Sequence, residues 1–248
     1  MLIMQMNRLM LAGVIAMSCV TIGMAVEPGS AEEQAKDKKW ICTPIEGLPN
    51  VLLIGDSISI GYTLETRELM AGNANIYRPI LGGKDEPWNC GHTGSILGGL
   101  DRMLAGPKWD VIHFNTGLHD LKRINRKSGG KSDDPTVPTV ISLEQYRKGL
   151  ENIVLRLKAT GAVVIFATTT PYPDGVYPCR LPEDAVAYNN VALEVMKKHG
   201  VVVNDLYSAS LPHLKEWQRE KNVHFNPHGR QKLAELVAEA IEEQRGSK

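Results

Sequence analysis

The chain lacks the sequence patterns of metal, nucleotide and nucleic-acid chemistry. It contains four cysteines in 248 residues and no Cys-x-x-Cys pair, which argues against a structural zinc site. No His-Glu-x-x-His sequence and no phosphate loop of the Gly-x-x-x-x-Gly-Lys-Ser/Thr type occurs. The 28 basic and 28 acidic residues balance to a net charge of zero, so there is no basic footprint for nucleic acid or an anionic membrane. We therefore expect no metal, no cofactor and no nucleic-acid partner.

The amino terminus has the pattern of a secretory signal peptide. Arg8 precedes an apolar run over residues 9–26, which has small residues at Gly23 and Ala25 near its end. A basic start, an apolar middle and a small-residue exit are typical of such signals. We predict a signal peptide over residues 1–26, cleaved near Ala25, and a secreted or periplasmic protein.

Two alternatives remain for this leader. The apolar run is long enough to just span a bilayer, so it could be a retained membrane anchor. The sequence ending at Cys19, Ala-Met-Ser-Cys, resembles a lipobox, so the protein could be a lipoprotein. A membrane partner is expected only if Cys19 carries lipid. Residues 27–48 are predicted to be a flexible polar tail and lead-in.

Export affects the remaining cysteines. If Cys19 leaves with the signal, Cys42, Cys90 and Cys179 remain in a compartment that permits disulfides. We expect that one pair could form and leave one free thiol. The pairs Cys90 with Cys179 and Cys42 with Cys90 are favoured, because these segments would all lie near the active-site face, but the sequence leaves the pairing open.

The rest of the chain, residues 49–245, predicts one α/β domain. Five apolar segments alternate with helical patterns, which is typical of a parallel sheet covered on both faces. With right-handed crossovers this gives a three-layer α/β/α sandwich around a five-stranded parallel sheet, as in flavodoxin-like folds. The predicted strands are 51–55, 75–80, 110–115, 162–168 and 201–204, and the predicted helices are 61–71, 96–105, 143–160, 184–198 and 227–243.

The first strand leads into Gly55-Asp56-Ser57 and then into a helical segment. A serine there lies at the carboxyl end of a parallel strand, near helix N–H groups that favour developing negative charge. Ser57 is therefore a candidate nucleophile. The alternative is that Ser57 only caps the helix, a common role for serine.

Polar groups also follow other strands. They are Asn89-Cys90-Gly91, Gly117-Leu118-His119-Asp120 and, before the last helix, His224. With Gly55-Asp56-Ser57-Ile58, this pattern resembles the SGNH (GDSL-type) hydrolase superfamily over about residues 50–243. The resemblance implies that Ser57 is the nucleophile and that His224 is the general base. It further implies oxyanion donors from the backbone N–H groups of Ser57 and Gly91 and from His119, which replaces the usual Asn of the third block.

The last block departs from the family pattern. The family places an Asp three residues before the His, and this position is Lys221. Lysine cannot accept a hydrogen bond from imidazole. Either Glu220 orients His224, or a backbone carbonyl does so in a Ser-His dyad, or catalysis is impaired.

Each of the other candidate residues also has an alternative role. Gly91 could be a turn glycine, and His119 could be a hydrogen-bonded buried histidine. His224 and His228 have a metal-ligand spacing, but Pro227 between them argues against a continuous helix there.

The preferred function is a secreted serine esterase that forms an acyl-Ser57 intermediate without a cofactor. The substrate would be a small-molecule or glycan ester, and by analogy a carbohydrate O-acetyl group. The aromatic residues Trp88, Trp109, Tyr172 and Tyr177 could stack on sugar rings. The alternative is a catalytically impaired SGNH-fold protein that binds glycan.

Overall fold

A computed structural model describes residues 40–245 apart from Gly83 and Arg126. The predicted signal peptide, Cys19 and the first part of the predicted tail lie outside the described residues. Within the described part of the chain, no helix combines the length and the apolar character needed to cross a bilayer.

Five parallel strands form one sheet, as the sequence predicted. They are β1 (Asn50–Ile54), β2 (Asn75–Tyr77), β3 (Val111–Asn115), β4 (Val163–Ala167) and β5 (Val202–Asn204). Their order is β2-β1-β3-β4-β5, with every neighbouring pair parallel. The chain leaves β1 toward one edge and returns to β3 on the other side, so the sheet has a switch point between β1 and β3, where such folds form their ligand crevices.

Helices connect the strands and cover the sheet in a three-layer α/β/α arrangement. They are α1 (Ser57–Leu69), α2 (Thr93–Leu104), α3 (Leu143–Lys158), α4 (Pro182–His199), α5 (Leu206–Ser210), a 3₁₀ turn (Leu211–His213), α6 (Leu214–Trp217) and α7 (Pro227–Arg245). Helix α1 packs against α7, whereas α3 packs against both α2 and α4.

Local sequence explains the main elements. The β1 residues Val51, Leu52, Leu53 and Ile54 are all buried, because helices cover both faces of the sheet. Helix α3 begins with a capping box between Ser142 and Gln145 and buries the apolar positions that have helical spacing. The largest differences from the predicted boundaries are that β2 ends at Tyr77, α1 begins at Ser57 and α2 begins at Thr93. The short helices between Leu206 and Trp217 were not predicted.

No disulfide joins the three cysteines that the structure describes. Cys42, Cys90 and Cys179 are all free thiols. They have different surroundings, since Cys90 is buried with its Sγ 3.5 Å from the Trp88 carbonyl oxygen. Cys42 and Cys179 are half-buried beside two different arginines. Burial raises the pKa of all three thiols, which keeps them protonated near neutral pH.

Candidate active site

Ser57 and His224 meet at the carboxyl edge of the sheet. Their Oγ and Nε2 atoms are 2.8 Å apart, although the residues are 167 positions apart in sequence. Ser57 is the first residue of α1, and the helix is capped by Asp56, whose carboxylate accepts the Ile58 N–H at 2.9 Å. The alternative role of Ser57 as the cap is therefore wrong.

The other ring nitrogen of His224 contacts Asn222. The amide Oδ1 of Asn222 lies 2.7 Å from Nδ1 and also accepts the backbone N–H of His224 at 3.0 Å. A backbone N–H can only donate, so the atom that it contacts is the amide oxygen rather than the amide nitrogen. The same oxygen then accepts a hydrogen from Nδ1. Neutral His224 thus has its proton on Nδ1 and a free lone pair on Nε2 facing the Ser57 hydroxyl.

Asn222, rather than Glu220 or a backbone carbonyl, orients His224. The side chain of Glu220 is exposed on the turn. Lys221, at the position of the family Asp, has a left-handed backbone conformation with φ of 50°. The turn is closed by hydrogen bonds from the Asn222 N–H to the Arg219 carbonyl at 3.2 Å and from the Arg219 N–H to the His224 carbonyl at 3.0 Å. The sequence analysis missed Asn222 because it considered only Glu220 or a backbone carbonyl as the partner of His224. The sequence did contain a suitable acceptor, the side-chain amide two residues before the histidine.

A buried arginine holds the turn that carries Ser57. Arg78 is fully buried and donates to the carbonyl oxygens of Gly55 at 2.7 Å and Trp88 at 2.9 Å, and to the Ser59 Oγ at 2.8 Å. These bonds join the β1–α1 turn to the loop that follows β2. The nucleophile turn is therefore fixed without a ligand. Sequence analysis missed Arg78, because a charged residue after a short strand gives no sign of burial.

We expect Arg78→Met to lower the free energy of unfolding by about 3 kcal/mol, because buried carbonyl groups lose a charged donor. Arg78→Lys is the matched variant. Its free energy of unfolding should fall between those of the native protein and Arg78→Met, since lysine keeps the charge but donates from one nitrogen. Urea unfolding measures both. A change below about 0.5 kcal/mol for Arg78→Met would contradict this role.

The segment Gly117-Leu118-His119-Asp120 follows β3 and is held in place by buried hydrogen bonds. The Asp120 carboxylate is buried and accepts the Thr93 N–H at 3.0 Å and the Thr116 hydroxyl at 3.0 Å, which ties the start of α2 to this loop. Burial raises the pKa of Asp120 to about 6, and the bonds from Thr93 and Thr116 oppose this rise. At Gly117, which has φ of +138°, a Cβ would come within 2.1 Å of the Thr169 Oγ1, so the loop requires glycine there.

Two cavities meet at Ser57 and His224. The larger has a volume of about 460 Å³ and also contains His119 and Asn89 in its wall, whereas the smaller, of about 330 Å³, has an apolar part formed by Ile58, Ile60 and Phe225. His119, predicted as an oxyanion donor, thus shares a cavity with the Ser57–His224 pair. Because both cavities open on the same hydroxyl, a two-part ester has room on either side of it.

Gly91, predicted as an oxyanion donor, does not line either cavity, although Asn89 lines the larger one. It has φ of +70°, which favours glycine, and its N–H donates to the Asn89 Oδ1 at 3.1 Å. In this structure Gly91 therefore has the alternative role considered for it, that of a turn glycine. The N–H becomes available to a ligand only when the Asn89 side chain releases it.

Burial lowers the pKa of His224 below its ordinary value, the carboxylate of Asp56 acts in the opposite direction, and Arg219 and Arg180 lower it further. Burial also lowers the pKa of His119. Both imidazoles are therefore neutral at pH 7, the state that a general base and a neutral N–H donor require.

The lowered pKa of His224 predicts a pH dependence for any reaction in which Ser57 gives its proton to His224. A protonated His224 cannot accept the Ser57 proton, so kcat/KM should fall as the pH drops through the lowered pKa of His224. We expect the midpoint of this fall below about pH 6.5, the unperturbed value for histidine. Initial rates measured across the acid range, with circular dichroism at each pH to verify folding, test this. A midpoint above the ordinary histidine value would contradict it.

Three of the four aromatic residues expected to stack on sugars have other roles. Trp109 and Tyr172 are buried and donate to the carbonyl oxygens of Leu104 and Leu181, at 2.9 Å each, so both are packing residues. Trp88 is packed against the core beneath the Arg102 guanidinium, 4.6 Å from the ring centre. Tyr177 is 58% exposed and lines the larger cavity, which keeps it available to a ligand.

The metal-ligand spacing of His224 and His228 does not bring the two rings to one point. His228 Nε2 lies 3.3 Å from a Glu216 carboxylate oxygen, whereas His224 faces Ser57. In the part of the chain that the structure describes, no group of three or more His, Cys, Asp or Glu residues is arranged to hold a metal ion.

Solved structures of hydrolases share this fold. The lipase/acylhydrolase from Enterococcus faecalis aligns with a TM-score of 0.62 at 21% identity, over 79% of this chain and 97% of that one. An acetylxylan esterase from Geobacillus stearothermophilus aligns with a TM-score of 0.59 at 16% identity, over 81% and 95% of the two chains. The acetyl xylan esterase AlAXEase gives 0.60 at 14% identity, over 77% and 99%. At these identities the similarity establishes the fold alone.

One curated protein, TATA-binding protein-associated factor 172 from Homo sapiens, is 40% identical over 55 residues, which are 22% of this chain and 3% of that protein. So short a part of that protein says nothing about the function of this chain. The profile of the GDSL-like Lipase/Acylhydrolase family, by contrast, matches residues 53–232, nearly all of the sheet and both Ser57 and His224. The chain belongs to the GDSL-like lipase/acylhydrolase family of SGNH-type ester hydrolases.

Proposed function

We propose that the protein is an exported serine esterase that removes acyl groups from carbohydrate through an acyl-Ser57 intermediate. The observation that carries this proposal is the hydrogen-bonded row Ser57–His224–Asn222, with contacts of 2.8 and 2.7 Å at the two ring nitrogens. Export rests on the predicted signal peptide alone.

In the acylation step, Ser57 Oγ attacks the ester carbonyl carbon and its proton moves to His224 Nε2. The resulting imidazolium remains hydrogen-bonded to Asn222 through Nδ1. When the bond between the carbonyl carbon and the alcohol oxygen breaks, His224 returns the proton to the alcohol, which leaves. Water then attacks the acyl-serine, its proton goes to His224 and on to Ser57 Oγ, and the free acid leaves.

The oxyanion would be stabilised by N–H groups around the larger cavity. The Ser57 backbone N–H lies in the first turn of α1, where N–H groups have no acceptor within the helix. His119 Nδ1 lies 3.4 Å from the Lys122 Nζ. Because an ammonium group can only donate, Nδ1 must be the acceptor, which leaves the ring proton of His119 on Nε2. His119 thus has an N–H to offer in place of the usual Asn amide, and each such donor contributes about 3 kcal/mol to transition-state stabilisation.

Acetylated carbohydrate is the preferred substrate for two reasons. Two of the structures with this fold are named as acetyl xylan esterases. The exposed Tyr177 ring at the larger cavity could stack on a sugar, and a cavity of about 460 Å³ could accommodate one or two sugar rings.

The test combines turnover with covalent trapping. The purified protein should release p-nitrophenol from p-nitrophenyl acetate, and a fluorophosphonate should stop this while adding its mass to the tryptic peptide that contains Ser57. Heat-denatured protein is the control and should not be labelled. Turnover with no label on Ser57 would overturn the proposed mechanism.

A second candidate function, glycan binding without catalysis, is favoured because a neutral amide, Asn222, contacts His224 Nδ1 and the family's carboxylate is absent from position 221. The same experiment separates the two functions. A binding protein would retain acetylated glycan without releasing acetate, and the phosphonate would not label Ser57.

A further inference from the structure

The larger cavity is lined by positive charges that have no carboxylate beside them in the lining. Four cationic side chains line it, Lys122, Lys131, Arg180 and Lys221, and no carboxylate does. Within the described residues, none of the four belongs to an ion pair. The smaller cavity differs. It is lined by two arginines, Arg219 and Arg230, and Arg230 is paired with Glu65 at 3.4 Å.

Two of the cations are held by neutral partners beside the reacting groups. Arg180 is buried, and its guanidinium donates to the carbonyl oxygens of Leu118 at 3.0 Å and Pro178 at 3.2 Å rather than to an acid. Lys122 contacts His119, as described above. Dipoles of carbonyl groups position a guanidinium but do not cancel its charge, so both cations still attract an anion in the cavity.

The nearby acidic groups lie behind the wall of the cavity or to its side. Asp56 and Asp120 are buried, and neither lines the cavity. Asp133 and Asp134 act on Cys179, outside the cavity lining. Burial lowers the pKa of Lys122, repulsion from Arg180 and Lys131 adds to the lowering, and the carboxylate of Asp120 opposes it. An anion between the three cations would relieve the repulsion.

We infer that the substrate is an anionic ester, an acylated saccharide that carries a carboxylate or a sulfate close to the acylated hydroxyl. The charged group would bind in the larger cavity among Lys122, Lys131, Arg180 and Lys221. This inference rests on the proposed function, because it assumes that an ester reacts at Ser57.

The rim of the cavity fits a charged sugar. The Lys131 Nζ lies over the exposed Tyr177 ring, 5.7 Å from its centre, so an aromatic face and an ammonium group meet at the rim. A sugar on this ring would therefore have an ammonium group beside it, within reach of a ring carboxylate or sulfate. A neutral acetylated sugar could use the ring but would leave the four cations without a partner.

The experiment compares matched substrates with the full-length protein. Methyl 3-O-acetyl-galactoside, the corresponding galacturonide and the corresponding 6-sulfate differ only at C6, and acetate release gives kcat and KM for each. We expect the charged esters to have a kcat/KM at least about tenfold higher than the neutral ester, mainly through KM, and this preference to shrink as salt is added. Comparison of the galacturonide with the sulfate identifies which anion is preferred.

Variants locate the source of the preference. Lys131→Gln and Lys221→Gln should each reduce the ratio of kcat/KM for charged to neutral ester severalfold. Lys148→Gln is the matched control, because Lys148 lies exposed on α3 and pairs with Glu144, and it should leave the ratio unchanged. Equal kcat/KM for charged and neutral esters would overturn the inference alone. If none of the esters released acetate, the proposed function and this inference would both be overturned.

Discussion

Replacing Ser57 by alanine is expected to lower kcat/KM for ester hydrolysis by a factor on the order of 10⁴ to 10⁶. The substitution removes the Oγ that we propose as the nucleophile, which lies 2.8 Å from His224 Nε2. Because Asp56 rather than Ser57 caps α1, the variant should unfold at nearly the same urea concentration as the native protein. Ser208→Ala, an exposed serine on α5, is the matched control and should keep full activity.

The double variant gives a sharper version of this test. His224→Ala alone should cost about as much as Ser57→Ala, because neither residue can act without the other. The Ser57→Ala/His224→Ala protein should therefore be no slower than either single variant, as groups that act as one unit are strongly non-additive. Initial rates with p-nitrophenyl acetate measure all three proteins. Losses that multiply in the double variant would mean that the two residues act independently.

The second large effect is expected at Asn222. Asn222→Ala removes the acceptor that fixes the Nδ1 proton and the orientation of the His224 ring, and we expect kcat to fall on the order of 10²- to 10⁴-fold with little change in KM. Asn222→Asp has the opposite sign. A carboxylate would stabilise the imidazolium that forms in the transition state, and we expect kcat to rise about tenfold, which corresponds to 1.4 kcal/mol or one pKa unit.

The pH profile distinguishes this positioning role from a purely structural one. The added carboxylate of Asn222→Asp should raise the pKa of His224, so the acid limb of the profile should move to higher pH. Loss of folding would not move that limb. Glu220→Gln is the control, because its exposed side chain should leave both the rate and the profile unchanged. If Glu220→Gln lowered kcat as far as Asn222→Ala does, Asn222 would not be the orienting group.

The sheet could be predicted from the sequence because its apolar segments have one physical solution, whereas the Ser57–His224 pair was predicted from the resemblance to the SGNH family. A run such as Val51 to Ile54 has to be covered on both faces, which requires parallel strands with helical crossovers. Parallel strands bring their carboxyl ends to one edge, so polar residues that follow β1 and β3 had to come together there.

Other parts of the site depend on loop paths that periodicity does not describe. Asn222 reaches His224 because the turn passes through a left-handed residue at Lys221, and no spacing rule predicts that conformation. The burial of the Arg78 and Trp109 side chains likewise depends on how loops pack over the sheet rather than on the polar and apolar pattern of their own segments. The disulfide that the sequence left open does not form among Cys42, Cys90 and Cys179, since proximity to one edge of the sheet does not bring two thiols into bonding distance.

The short distance along the chain between Asn222 and His224 has a mechanical consequence. Both belong to a single turn closed by Arg219, whereas Ser57 is fixed to the sheet by Arg78. If this turn shifts outward, the imidazole and the oxygen that sets its proton travel together, and the tautomer is preserved throughout. Such a shift would separate base from nucleophile and stop turnover, and its reversal would restore a competent pair without any rearrangement of protons.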